Sequence, residues 1–109
     1  MTAFGQTLNA GDTVYSPWFP RQANHCVFWA DLIDKTGSPT LTISIVHKSM
    51  ETTGDGTVKT SFTGMTATGL ASQNVDDLLQ LVRFKYAVTG TGTVVFRMLT
   101  PVWYDGARV

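Results

Sequence analysis

Between Thr40 and Lys48 the chain alternates with a period of two, Leu41, Ile43 and Ile45 on one side and Thr42, Ser44 and Val46 on the other. That period is the mark of a β-strand with one face in a core. His25 to Asp34 alternates less cleanly, Cys26, Phe28, Ala30 and Leu32 against Val27, Trp29, Asp31 and Ile33, so both of its faces are candidates for partial cover. Thr57 to Thr63 sets Val58, Thr60 and Phe62 against Lys59, Ser61 and Thr63 behind a Gly54-Asp55-Gly56 turn, which predicts a hairpin from Thr40 to Thr63. In the last third, Val82, Phe84, Tyr86 and Val88 precede Thr89-Gly90-Thr91-Gly92, and Val94, Phe96 and Met98 follow it. A second hairpin across that glycine loop is the simplest reading.

Turn signals at Asn9 to Asp12, Ser16-Pro17, Gly37 to Pro39, Gly64, Gly69 and Asp105-Gly106 cut the rest into short segments. Pro101 cannot donate to a ladder, so the last long strand is expected to end, bulge or lie at an edge there. Only Asn74 to Leu79, an Asn cap followed by acids and leucines, has the makings of a helical turn. The pattern predicts an all-β fold: an antiparallel β-sandwich of seven or eight strands with jelly-roll or Greek-key connectivity. At 109 residues it fits one domain, 1–109, with candidate extended arms at 1–10 and 104–109.

Composition sharpens this in one respect. Hydrophobic residues make up 43% of the chain and charged ones only 15%, so the expected surface is unusually neutral and suited to being covered. Eight basic and eight acidic residues cancel, which leaves no global field for nucleic acid or an anionic membrane. The start of the chain lacks a basic stretch followed by an apolar one, so cytoplasmic synthesis is expected.

Candidate chemistry is sparse. His25 and His47 fall on separate strands without metal-ligand spacing, and Cys26 beside His25 points to the opposite face, so the pair reads as a surface histidine and a small buried hydrophobe. Asp76 and Asp77 are neighbours in a turn, Glu51 to Gly56 lacks the oxygen ligands of a calcium loop, and Gly90 to Gly92 lacks the lysine and helix of a phosphate loop. No catalytic residue, metal or cofactor is expected. Aromatic residues are richer: Tyr15-Ser16-Pro17-Trp18-Phe19-Pro20 with Arg21 next, and Trp103-Tyr104 near the end. Such rings either plug the ends of a sandwich or serve as stacking platforms and interface anchors. Arg21, Arg83, Arg97 and Arg108 are candidates for desolvated contacts. The residues chosen as partner-binding are Trp18, Phe19, Arg21, Trp103 and Tyr104.

The general run of the chain, with "SPWFPRQANHCVFWADLID" leading into "TLTISIVHKS" and "LVRFKYAVTGTGTVVFRMLTPVW" at the end, resembles small tailed-phage virion proteins. Among these it is most similar to capsid decoration (cement) or minor capsid proteins. The resemblance implies a non-enzymatic structural protein of the virion, assembled in the host cytoplasm. Its subunits would be homo-oligomeric, often trimeric, and bind the major capsid protein or other virion subunits. The aromatic cluster leaves a second expectation, a carbohydrate- or receptor-binding module using Tyr15, Trp18 and Trp103. A small cupin-like enzyme, which would need several facing histidines, stands last.

Overall fold

The computed structural model describes residues 6–51, 53–62 and 64–104. Eight strands form one antiparallel sheet: β1 (Gln6–Asn9), β2 (Thr13–Tyr15), β3 (Phe19–Pro20), β4 (His25–Lys48), β5 (Thr57–Ser61), β6 (Gly69–Val75), β7 (Leu81–Met98) and β8 (Val102–Tyr104). Among the described residues there is no helix. The Asn74 to Leu79 expectation fails because the β6 ladder claims its first two residues: Val75 lies opposite Cys26 and is buried, Asn74 lies opposite Val27, and Asp77 then takes φ +56°.

Two strands carry the architecture. β4 and β7 pair from Ala30 opposite Met98 to Lys48 opposite Leu81, straight through both stretches read as turns. Gly37 faces Gly92 and Pro39 faces Gly90, so the glycine loop expected to reverse the chain instead lies within one continuous strand. The expected hairpin between Val82–Val88 and Val94–Met98 is therefore replaced by a bend shared by β4 and β7. Ring contacts join the two halves across the interior: Phe28 packs edge-on to Phe84 at 5.3 Å between centroids, and Tyr86 meets Phe96 at 5.0 Å. One layer runs β1, the second half of β7 with β8, the first half of β4, then β6. The other runs β2 and β3, the first half of β7, the second half of β4, then β5. Two four-stranded layers in these orders make a β-sandwich with jelly-roll connectivity.

Alternation explains the core. In β7 the inward residues keep one parity throughout: Val82, Phe84, Tyr86, Val88, Val94, Phe96 and Met98 are all buried. In β4 they change parity, from Cys26, Phe28, Ala30 and Leu32 to Leu41, Ile43 and Ile45. A strand can do this only by inserting a residue, and the ladder shifts between Leu32 and Asp34, leaving Ile33 as the extra one. At the bend the positions in line with the inward rows of the two strands are Gly37, Pro39, Gly90 and Gly92; Pro39 is buried, the glycines are exposed, and their lack of side chains lets the backbones close in. A Cβ on Gly92 would overlap the Thr36 carbonyl oxygen and one on Gly90 the Ser38 carbonyl oxygen, and both glycines have positive φ.

The expected Thr40 to Thr63 hairpin is present as β4–β5, Ser44 to His47 against Thr57 to Ser61, with Thr63 outside the described residues. The Asn9 to Asp12 turn is closed by Asp12 N–H donating to the Asn9 carbonyl at 3.0 Å and by Asn9 N–H donating to Asp12 Oδ2 at 2.8 Å. At Pro101 the ladder does break: Ala30 faces Met98 but Val27 faces Val102, so one extra residue bulges between β7 and β8. Within the ranges of the expected arms, Gln6 to Asn9 pairs with β7 with Leu8 buried, and Tyr104 closes β8. Residues 1–5 and 105–109, including the Asp105-Gly106 turn and Arg108, lie outside the described residues.

Gly92→Ala is expected to destabilise the fold by more than about 2 kcal/mol, because strain at positive φ adds to collision with backbone. Gly11→Ala, where φ is +93° but nothing lies within 4 Å of the new Cβ, is expected to cost only about 1 kcal/mol. Urea unfolding of the two variants measures the difference.

Candidate functional site

The aromatic residues divide into two groups. Phe19, on β3 opposite Val82, turns toward the core and meets Phe84 at 5.6 Å and Trp103 at 6.4 Å between ring centroids. Trp103 lies opposite Cys26 on β8, shares that strand's inward direction, and packs edge-on to Phe28 at 5.9 Å. These two rings close one end of the sandwich. Tyr15 and Trp18 instead hold the Arg83 guanidinium, at 4.2 and 4.4 Å from their ring centroids, and Lys48 Nζ stands 4.6 Å from the Trp18 ring. Arg83 also reaches Asp55, 3.5 Å from Oδ1 and donating to its carbonyl at 3.3 Å. The Trp18 ring and the outward-pointing but buried Val46 both lie beside Gly56.

Of the five residues chosen from sequence, the structure thus joins Phe19 and Trp103, and seats Trp18 separately among cations. Arg21 is half-buried and donates from Nη1 to the Leu78 carbonyl. Tyr104 packs on His25 at 5.2 Å and donates its hydroxyl to Asn74 Oδ1 at 2.6 Å. Each is at least partly engaged within its own chain.

Two features escaped sequence reasoning. One is a groove of about 560 Å³ lined by Gln6, the Tyr15 to Phe19 segment, Phe84, Tyr86 and Met98. It opens between β1, at the edge of one layer, and β2–β3, at the edge of the other. The other is the outer face of the layer that holds the first half of β4. Trp29, Ile33, Leu70 and Val102 are 36%, 46%, 63% and 56% exposed there, around an Asp31–Arg97 ion pair at 3.2 Å. Leu70 lies directly opposite Asp31, and Val102 opposite Val27, so the four side chains share one surface. The imperfect alternation of His25 to Asp34 signalled this face, but its β6 and β8 members lie far away in sequence.

Titratable groups follow burial. Cys26 is fully buried and its thiol is pushed up to about 12 by that burial, partly offset by a hydrogen bond with the Val102 backbone. His25, its sequence neighbour, faces outward with Nδ1 at 3.1 Å from Asp76 Oδ1. His47 accepts the Leu79 N–H on Nδ1 at 3.1 Å, and its pKa is lowered from 6.5, first by desolvation and then by Lys59. Among the described residues no group of three or more His, Cys, Asp or Glu could hold a metal ion.

Cys26 is expected to resist a thiol reagent in the folded protein and to react at once in denaturant, read as absorbance of the released chromophore. A depressed histidine pKa contributes stability above pH 6.5 that is lost as pH falls through the folded-state value. His47→Asn keeps an acceptor for Leu79, so the difference between parent and variant unfolding curves from pH 7.5 to 5 is expected to show the parent losing more stability.

No family model, curated protein or solved structure matches the chain.

Proposed function

We propose that this chain is a structural virion protein, a capsid decoration subunit that binds other virion subunits and carries out no catalysis. The supporting observation is the apolar outer face formed by Trp29, Ile33, Leu70 and Val102. Large apolar side chains gathered on one sheet face cost solubility unless something covers them, and a ring of such contacts is the usual core of a protein interface. The Asp31–Arg97 pair in its midst supplies polar groups that fix orientation without leaving a lone charge to be desolvated. A sandwich bent from two long strands is a rigid carrier for such a face. On a capsid lattice, weak contacts of this kind multiply into firm attachment, whether the subunit arrives as a monomer or a trimer.

The carbohydrate reading draws less support from the geometry. Sugar stacking needs free ring faces, whereas Trp18 and Tyr15 are engaged by Arg83, and Trp103 packs against Phe28 and Phe19.

Leu70→Asp changes a side chain that is 63% exposed, so stability is expected to move by no more than about 0.5 kcal/mol. Co-sedimentation with shells of the virion's major capsid protein is expected to fall by about tenfold or more, the loss typical of an interface anchor. Equal occupancy by parent and variant, or no binding by the parent, defeats the proposal.

A further inference from the structure

The groove between β1 and β2–β3 calls for an occupant of its own, separate from whatever covers the outer face. Its volume of about 560 Å³ falls in the range of ligand sites, and none of the described residues that line it carries a charge. Three of its walls, Phe19, Phe84 and Tyr86, are aromatic rings already packed on one another, with the Phe84–Tyr86 centroids 6.1 Å apart. A ring entering there would find edges and faces to pack against.

Tyr86 supplies the second observation. It is 3% exposed, its hydroxyl has no hydrogen-bonding partner among the described residues, and burial pushes its pKa up to about 12. Among those residues, Arg83 Nε is the one fully enclosed polar side-chain atom without a partner. The Tyr86 oxygen is therefore not sealed in the core and abuts the open groove that the residue lines. A phenol whose ring is buried and whose hydroxyl stands at the wall of an open groove is a donor free to meet an acceptor brought by a ligand. Of the other hydroxyl-bearing residues in the lining, Tyr15 is 45% exposed with its ring against Arg83, and Ser16 is already committed, donating to the Pro17 carbonyl and accepting the Phe84 N–H at 2.8 Å.

The edges of both layers flank the opening. β1 ends one layer and β2–β3 ends the other, so an extended chain lying along either edge would project alternate side chains toward the groove. We infer that the groove receives an uncharged aromatic side chain carried on an extended segment of a partner protein, with the Tyr86 hydroxyl donating to a backbone carbonyl of that segment. The inference stands apart from the outer-face reading and survives if capsid binding fails.

The probe is N-acetyl-phenylalaninamide, which joins one aromatic side chain to peptide carbonyls. Titrated into the full chain and followed by NMR, it is expected to shift the Met98 methyl and the Tyr86 and Phe84 ring signals saturably, while N-acetyl-alaninamide and cellobiose leave them in place. Tyr86→Phe is expected to keep or raise the melting temperature and to weaken the probe about tenfold, the loss of one hydrogen bond. Gln6→Trp, which fills the groove from β1, is expected to abolish the shifts. Undisplaced Met98 and Tyr86 signals overturn the inference, as does equal affinity in Tyr86→Phe or a response to cellobiose in place of the aromatic amide. Binding that emerges only when residues 1–5 are removed also overturns it, because the groove would then belong to the chain's own N-terminus.

Discussion

The close approach of β4 and β7 at their shared bend is the constraint on which the rest of the fold depends. For the two strands to turn together and lay one half of the sheet over the other, the corner positions in line with the inward rows must carry almost nothing. Gly37, Gly90 and Gly92 provide that, and Pro39 opposite Gly90 adds a stiff, compact residue. Folding over creates a second requirement. The inward residues of β4 must change parity to stay inside, and the bulge at Ile33 makes that change. Without the corner there would be one long two-sided sheet; without the bulge, half of β4 would present its threonines and serines to the core.

Functional features grow from the same geometry. The extra residue at Ile33 is exposed because a bulge cannot pair it, and it joins Trp29, Leu70 and Val102 on the outer face. The segment from Gln6 to Tyr15 follows β7 around its corner, tied there by Ala10 N–H to the Gly92 carbonyl and Gly11 N–H to the Val88 carbonyl. It consequently edges one layer and then the other, and the groove opens between those edges. Surface and groove are thus consequences of how the sheet closes, and neither depends on a local motif.

Charge is handled by the same economy. Arg83 spreads its guanidinium between Tyr15 and Trp18 and touches Asp55, while Arg97 pairs with Asp31 on the outer face and Arg21 satisfies the Leu78 carbonyl. Arginine suits these places because its planar, weakly hydrated head stacks and hydrogen-bonds at once. A zero net charge therefore coexists with well-placed cations, each serving a particular neighbour.

Much of this was legible in the chain. Period-two alternation named Ile43, Phe84, Tyr86 and Phe96 as core, since side-chain direction in a strand is a local property, while for His25 to Asp34 it left both faces open and only the structure puts Phe28 inside. It also predicted the β4–β5 hairpin, the Asn9 to Asp12 turn and the break at Pro101, each governed by residues within a few positions. Glycine was where local reasoning failed: Thr89 to Gly92 satisfies the chemistry of a hairpin loop and of a crowded corner equally well, and only the partner strand decides between them. The same holds for the Asn74 to Leu79 segment, whose capping pattern lost to a ladder with residues nearly fifty positions away. Trp18, Phe19 and Trp103 could be recognised as important rings, but whether a ring faces core, cation or solvent depends on what the fold brings beside it. The sequence by itself determined an all-β sandwich and its core faces, because alternation and turn chemistry act locally. The bend and the groove with Tyr86 in its wall were decided by tertiary structure, because they arise only when the sheet folds over; the outer apolar face was hinted at by His25 to Asp34 but completed only by pairing with β6 and β8, far along the chain.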